Sequence, residues 1–199
     1  MTAVLAGLGL GASLIVAIGA QNVFVLHQGL AREHVGAVVA VCALSDLVLV
    51  SAGVAGLGVL VDLVPWAATA ARLGGAAFLL GYAALAARRA LRGTQSAEAP
   101  AAARSSLRTT VLTALALTWL NPHVYLDTVF LLGSVASGWG EQRWLFALGA
   151  GTASVLWFTG LGLGARLLAG LFRSPRAWRV LDGGVCLVMT AIAVNLLRG

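Results

Sequence analysis

From Ala3 to Leu26 the chain runs for 24 residues without one charged side chain. About 20 apolar residues in a row is the length that crosses a bilayer as a helix. The pattern recurs five more times. Val35 to Val61 is 27 residues with one charge, Asp46, and Trp66 to Ala87 is 22 residues with Arg72. Thr109 to Gly140 is 32 residues with Asp127, Trp144 to Ala165 is 22 with none, and Val180 to Leu197 is 18 with Asp182. The six runs predict an all-α polytopic membrane protein of six transmembrane helices, a single domain over 1–199. Only 10% of the chain is charged and 60% is hydrophobic, whereas a soluble domain is about 25% charged. So few polar side chains cannot cover a core. This excludes a soluble enzyme, a nucleic-acid binder and a disordered chain.

The net charge of +6 comes from 13 basic residues, all arginine. Ten of them lie in the loops after the first, third and fifth runs. The positive-inside rule puts those loops in the cytoplasm and both termini outside it. Basic loops beside apolar spans explain the charge without a nucleic-acid partner. The first run has no basic segment before it and reads as a retained span. The one long linker, Arg88–Arg108, carries five arginines, Ser96, Glu98 and Pro100, and reads as a loop between two halves.

Those halves resemble each other faintly. Arg72-Leu73-Gly74-Gly75 opens the third run, and Arg179 to Gly184 (RVLDGG) opens the sixth. Gln21-Asn22 in the first run is echoed by Leu120-Asn121 in the fourth. Repeat one would cover about 1–90 and repeat two about 109–199. Three spans per repeat forces opposite orientations, the inverted-repeat architecture of many secondary transporters.

Polar groups at membrane depth carry the functional reading. A charge at the centre of a spanning helix costs about 2.5–3.5 kcal/mol on insertion scales, so Asp46 and Asp127 need a partner or a wet cavity. Pro122 lacks an N–H, and its ring clashes with the Thr118 carbonyl in a helix. Asn121 before it is pushed toward extended geometry. A broken helix within a membrane is tolerated where it lines a cavity, and transporters build substrate sites there. The adjacent amides Gln21 and Asn22 suit a carboxylate, a helix cap or interhelical contact. His123 stands four residues before Asp127, a spacing that suits proton relay. His27 and His34 carry little information at the membrane edge. GLGLGA occurs at Gly7–Ala12 and again at Gly160–Ala165. Gly7 with Gly11, and Gly160 with Gly164, match the spacing of close helix contact. Trp66, Trp139 and Trp144 read as interface anchors. Cys42 and Cys186 sit in apolar runs without a CxxC, so no metal, cofactor or dithiol site is expected. An intramembrane thiol oxidoreductase is the rival class.

The motifs resemble one family closely. Ile18 to Leu26 (IGAQNVFVL), Cys42-Ala43-Leu44-Ser45-Asp46, Leu117 to Thr128 (LTWLNPHVYLDT) and Arg143 to Gly149 (RWLFALG) are similar to motifs of the lysine/arginine exporter (LysE) family. The resemblance covers essentially the whole chain. It implies an inner-membrane secondary transporter, not an enzyme, that exports L-arginine or L-lysine using the proton-motive force. It assigns flux to Asp46 and Asp127 and brings Tyr125 into the site with Gln21, Asn22, Asn121 and Pro122. Export of neutral amino acids such as threonine or homoserine stays open as the neighbouring branch. The family commonly has proline where Ala20 stands, so the first-span site departs from its pattern. The expected partners are the amino acid, protons and the lipid bilayer, with a homodimer allowed by the glycine spacing.

Overall fold

The computed structural model describes residues 1–16, 19–56, 65–92, 106–168 and 174–198. Most of the Arg88–Arg108 linker, the end of the second run and Arg173 lie outside the described residues. Within them the chain is helical, with no strand. α1 is Thr2–Ile15, α2 Ala20–Ala31, α3 Val35–Val54, α4 Pro65–Arg92 and α5 Leu107–Trp119. A break at Leu120–Asn121 follows. α6, Pro122–Val124, then leads into a π-helical segment, Tyr125–Leu131, and α7, Leu132–Ser137. A 3₁₀ turn at Gly140–Gln142 opens into α8, Arg143–Leu168, and α9 is Pro175–Arg198.

Three stretches, Val35–Val54, Gly140–Leu167 and Arg176–Arg198, are long and apolar enough to cross a membrane. α1 and α2 make a fourth if they act as one span, but their axes differ by 82°. The uninterrupted span expected over Ala3–Leu26 is therefore two helices. Gly19 caps α2 in extended geometry, φ −121° and ψ 166°. Asn22 of α2 reaches back with its Nδ2, 2.8 Å from the Ile15 carbonyl. It thereby satisfies an acceptor that the end of α1 leaves orphaned.

α2 ends in a Schellman turn. Arg32 stands in the left-handed region at φ 57°, and the N–H groups of Arg32 and Glu33 donate to the Gly29 and Gln28 carbonyls. The Arg32 guanidinium also donates to the Arg166 carbonyl near the end of α8, at 3.3 Å. A cation there complements the helix dipole.

The helices approach closely at small residues, the packing that serves where lipid removes the hydrophobic drive between helices. α1 lies along α8, where a side chain at Gly7 would strike the Phe146 carbonyl and one at Gly149 the Val4 carbonyl. Gly29 of α2 meets Gly162 of α8, and Gly53 of α3 meets Gly133 of α7. The second GLGLGA departs from the expectation. Gly160 and Gly164 have nothing within 4 Å, and it is Gly162 between them that packs. α4 and α9 run antiparallel and bury matching stripes, Ala76, Leu79, Ala83 and Ala86 against Val185, Met189, Ala193 and Leu196.

The outside of the bundle is apolar. Leu44 and Leu156 are each 62% exposed and Leu187 is 73% exposed, while Gln21, Gln28, Asp46, Ser154 and Asp182 are buried. Exposed leucine with buried amide and carboxyl fits a lipid environment, not water. Trp144 is half-exposed beneath Arg143, and Trp139 stacks on Phe146.

Candidate functional site

Two interrupted helices meet at one cavity of about 450 Å³, within the size range of small-molecule sites. The first break contributes Ile15, Gly19, Ala20, Gln21 and Asn22, and α3 contributes Asp46. The second break contributes Asn121, His123, Val124, Asp127 and Thr128. α8 adds Phe158, and α9 adds Ala191, Ile192 and Asn195.

The geometry of the second break follows from its proline. Asn121 is extended, at φ −93° and ψ 108°, and its side chain accepts from the His123 N–H at 3.1 Å. It is thus the N-cap of the new helix. The Tyr125 hydroxyl donates to the Trp119 carbonyl at 2.9 Å. A strap of this kind offsets a backbone bond lost at the break. The π-helical turn that follows holds Asp127, and π-bulges often mark functional sites. Thr128 donates to the Val124 carbonyl.

Asp46 is 4% exposed, and Ser154 of α8, fully buried, donates to its Oδ2 at 2.8 Å. One residue before Asp46, Ser45 accepts from the Trp119 indole at 3.1 Å, which ties α3 to the end of α5. Asp127 is half-buried, and His123, one turn earlier, lines the same cavity. The Asn22 amide bridges two elements. Its oxygen accepts from the Trp157 indole at 3.1 Å, and its nitrogen holds the end of α1. Gln21 is also buried at the cavity, where its amide faces the Cys42 thiol of α3.

Of the residues singled out in the sequence, the cavity brings together Gln21, Asn22, Asp46, Asn121, His123 and Asp127. Pro122 and Tyr125 do not line it. They shape the break instead. Ser154, Trp157 and Asn195 escaped the sequence reading. Asn195, an amide deep in the last apolar run, carried the same kind of signal as Asn22. Ser154 and Trp157 had none, because hydroxyls and indoles are ordinary within spans.

A second polar cluster lies away from the cavity. Asp182 of α9 accepts from Arg89 Nε of α4 at 3.0 Å and stands 3.7 Å from His27 Nε2 of α2. Arg89 also lies over the Tyr82 ring, and Trp178 meets His27 edge-on. His27 therefore has a structural role that its place at the membrane edge did not announce.

The cavity holds two carboxyls, one histidine, several amides and an apolar wall. No solved structure matches the chain. A Mycobacterium tuberculosis protein named a candidate amino-acid transporter is 48% identical over 185 residues, covering 93% of this chain and 92% of that protein. The lysine exporter LysE of Corynebacterium efficiens is 42% identical, covering 96% of each chain. The arginine exporter protein ArgO of Pectobacterium atrosepticum is 41% identical, covering 98% of this chain and 96% of that protein. The profile of the LysE type translocators matches residues 12–199, and the chain belongs to that family of transporters.

Proposed function

We propose that the protein exports basic L-amino acids, L-arginine or L-lysine, across the cytoplasmic membrane by proton antiport. The observation that carries this reading is the convergence of Asp46 and Asp127 with two helix breaks on one cavity. A substrate with net charge +1 suits a cavity with two acids. The relatives named as lysine and arginine exporters support the same substrate class.

The chemistry divides over the cavity. The first N–H groups of α2 have no partner within the helix, and the positive end of its dipole favours an anion. With the Gln21 amide they form a cradle for the α-carboxylate. Asp127 and Asp46 together give the cavity the negative charge that suits a cationic substrate. Leu14, Phe158 and Ile192 line the path of the aliphatic stem. Exporting one positive charge from a negative-inside cell costs about 2.3 kcal/mol per 100 mV, so export against the potential needs coupling. Proton and substrate cation compete for the negative charge of the cavity, and that competition produces exchange.

An inverted repeat fits the packing. α1 with α2 lies on α8, and its counterpart, α5 with the π segment and α7, lies on α3. Counterparts α3 and α8 touch, as do α4 and α9. A pseudo-two-fold axis would require these pairings. In this reading the halves rock about the cavity, the arginine-rich end faces the cytoplasm, and six crossings leave both termini outside. Gly160 and Gly164, turned outward, are where a homodimer contact would form.

The test is efflux from proteoliposomes loaded with radiolabelled arginine, with and without an external acid pH gradient. We expect gradient-stimulated efflux that internal lysine inhibits. Arginine retention with movement of threonine or homoserine would overturn the substrate assignment.

A further inference from the structure

Resting on that function, we propose that Ser154 is a positioning residue for Asp46, and that the pair divides the work of the two acids: Asp46 exchanges the proton and Asp127 meets the substrate cation.

The two acids differ in surroundings. Asp46 is 4% exposed and Ser154 is 0% exposed, and they face each other across the contact between α3 and α8. The hydroxyl donates to Oδ2 at 2.8 Å, so one carboxyl oxygen is anchored and the other is left for the cavity. A serine hydroxyl rotates. It donates to a carboxylate and accepts from a carboxylic acid. Ser154 therefore accompanies Asp46 through both protonation states without leaving a buried group unpaired. A substrate cation needs room and several acceptors, and Asp46, with Oδ2 engaged by Ser154, offers the cavity one oxygen. Among the described residues no side chain hydrogen-bonds the Asp127 carboxyl, which stands half-buried on the π-helical turn. Both its oxygens are available to a guanidinium or an ammonium group.

The electrostatics around Asp46 are sparse. On α3 the nearest titratable group is Cys42, one turn earlier. The second break brings Asp127 and His123 to the cavity. α2 brings neutral Gln21 and Asn22, α5 brings Trp119 to Ser45, α8 brings neutral Ser154 and α9 neutral Asn195. Within this set Ser154 is the described group whose proton lies directly on the carboxyl. It acts on the ease of proton release and so on the pH at which exchange runs.

The experiment replaces Ser154 with Ala, Cys and Thr in the full-length protein. Two quantities are read. One is the pH profile of arginine efflux. The other is the infrared band of a protonated carboxyl, assigned to Asp46 by its loss in Asp46→Asn. Removing a hydrogen bond to a charged group is expected to move both toward alkaline pH by about one unit in Ser154→Ala. Ser154→Cys, of similar size but a weaker donor, should fall between, and Ser154→Thr should stay near the parent. A merely structural serine would change the amount of folded protein and leave the midpoints in place. Unmoved midpoints in the folded Ala or Cys variant would overturn the proposal, as would an Asp46 that shows no protonated band at any accessible pH. If the parent carries no arginine, the proposed function fails, yet the infrared titration still decides the role of Ser154.

Discussion

Asp46 and Asp127 are the same residue type on one cavity, and their neighbours set them apart. Asp46 is held by a buried serine, while Asp127 sits on a loosened helical turn beside His123. A neutral amide at each position separates the roles. Asp46→Asn is expected to keep arginine-for-arginine exchange but lose the response of efflux to a pH gradient by more than about tenfold. Asp127→Asn is expected to lose both, because the cation has lost its charge partner. Exchange and gradient-driven efflux measured in the same vesicles check this, and identical losses in the two variants would contradict it. The sequence made both acids conspicuous, since a charge in an apolar run is costly. It left Asn22 ambiguous. An amide offers the same groups to a substrate and to a carbonyl, and only the position of Ile15 and Trp157 shows that Asn22 straps a helix break.

At the scale of elements, the two breaks were unequally legible. Pro122 announces its break through chemistry that no tertiary contact can reverse: a missing N–H and a fixed φ. The first break lies between α1 and α2 and is marked by no proline, since Ala20 opens α2. A single unbroken span was the natural expectation there. α4 meets the second break through Gly75, where any side chain would run into the Leu120 carbonyl. Gly74, its neighbour, has nothing within 4 Å. Gly75→Ala should therefore destabilise the protein by about 1–3 kcal/mol through overpacking, and Gly74→Ala should not. Thermal unfolding of both variants in detergent is the measurement, and equal midpoints would show that α4 shifts freely past the break. The glycine pair was visible in the sequence as part of a repeat. Which member packs depends on how α4 is rotated about its axis.

At the scale of the whole molecule, α9 forms one wall of the cavity and packs along α4, and Asp182 joins the pair at one end. This acid links three helices through Arg89 and His27. Asp182→Asn removes the charge that Arg89 and His27 face. Arg89 is 40% exposed and partly solvated, so the expected loss is about 1–2 kcal/mol and not the larger cost of a fully buried pair. Unfolding of this variant at two salt concentrations checks the point. A stability equal to the parent's at both would show that the cluster contributes nothing to holding α2 against the wall. Asp182 opens the sixth apolar run and reads as a span-edge acid. Its partners come from 93 and 155 residues earlier in the chain, separations at which no local pattern operates.

The sequence by itself determined the apolar character of the chain, the helical class and the second helix break. Those follow from composition, from run length and from the covalent chemistry of proline, none of which depends on distant contacts. The family too was legible in contiguous motifs. Only the tertiary structure decided that the first apolar run is bent, that Ser154 rather than a charged group holds Asp46, and that one end of the bundle is pinned by Asp182. Each of these is a meeting between distant segments. In lipid such meetings are selected by shape, where small residues let backbones approach, and by the need to satisfy polar groups that water cannot reach.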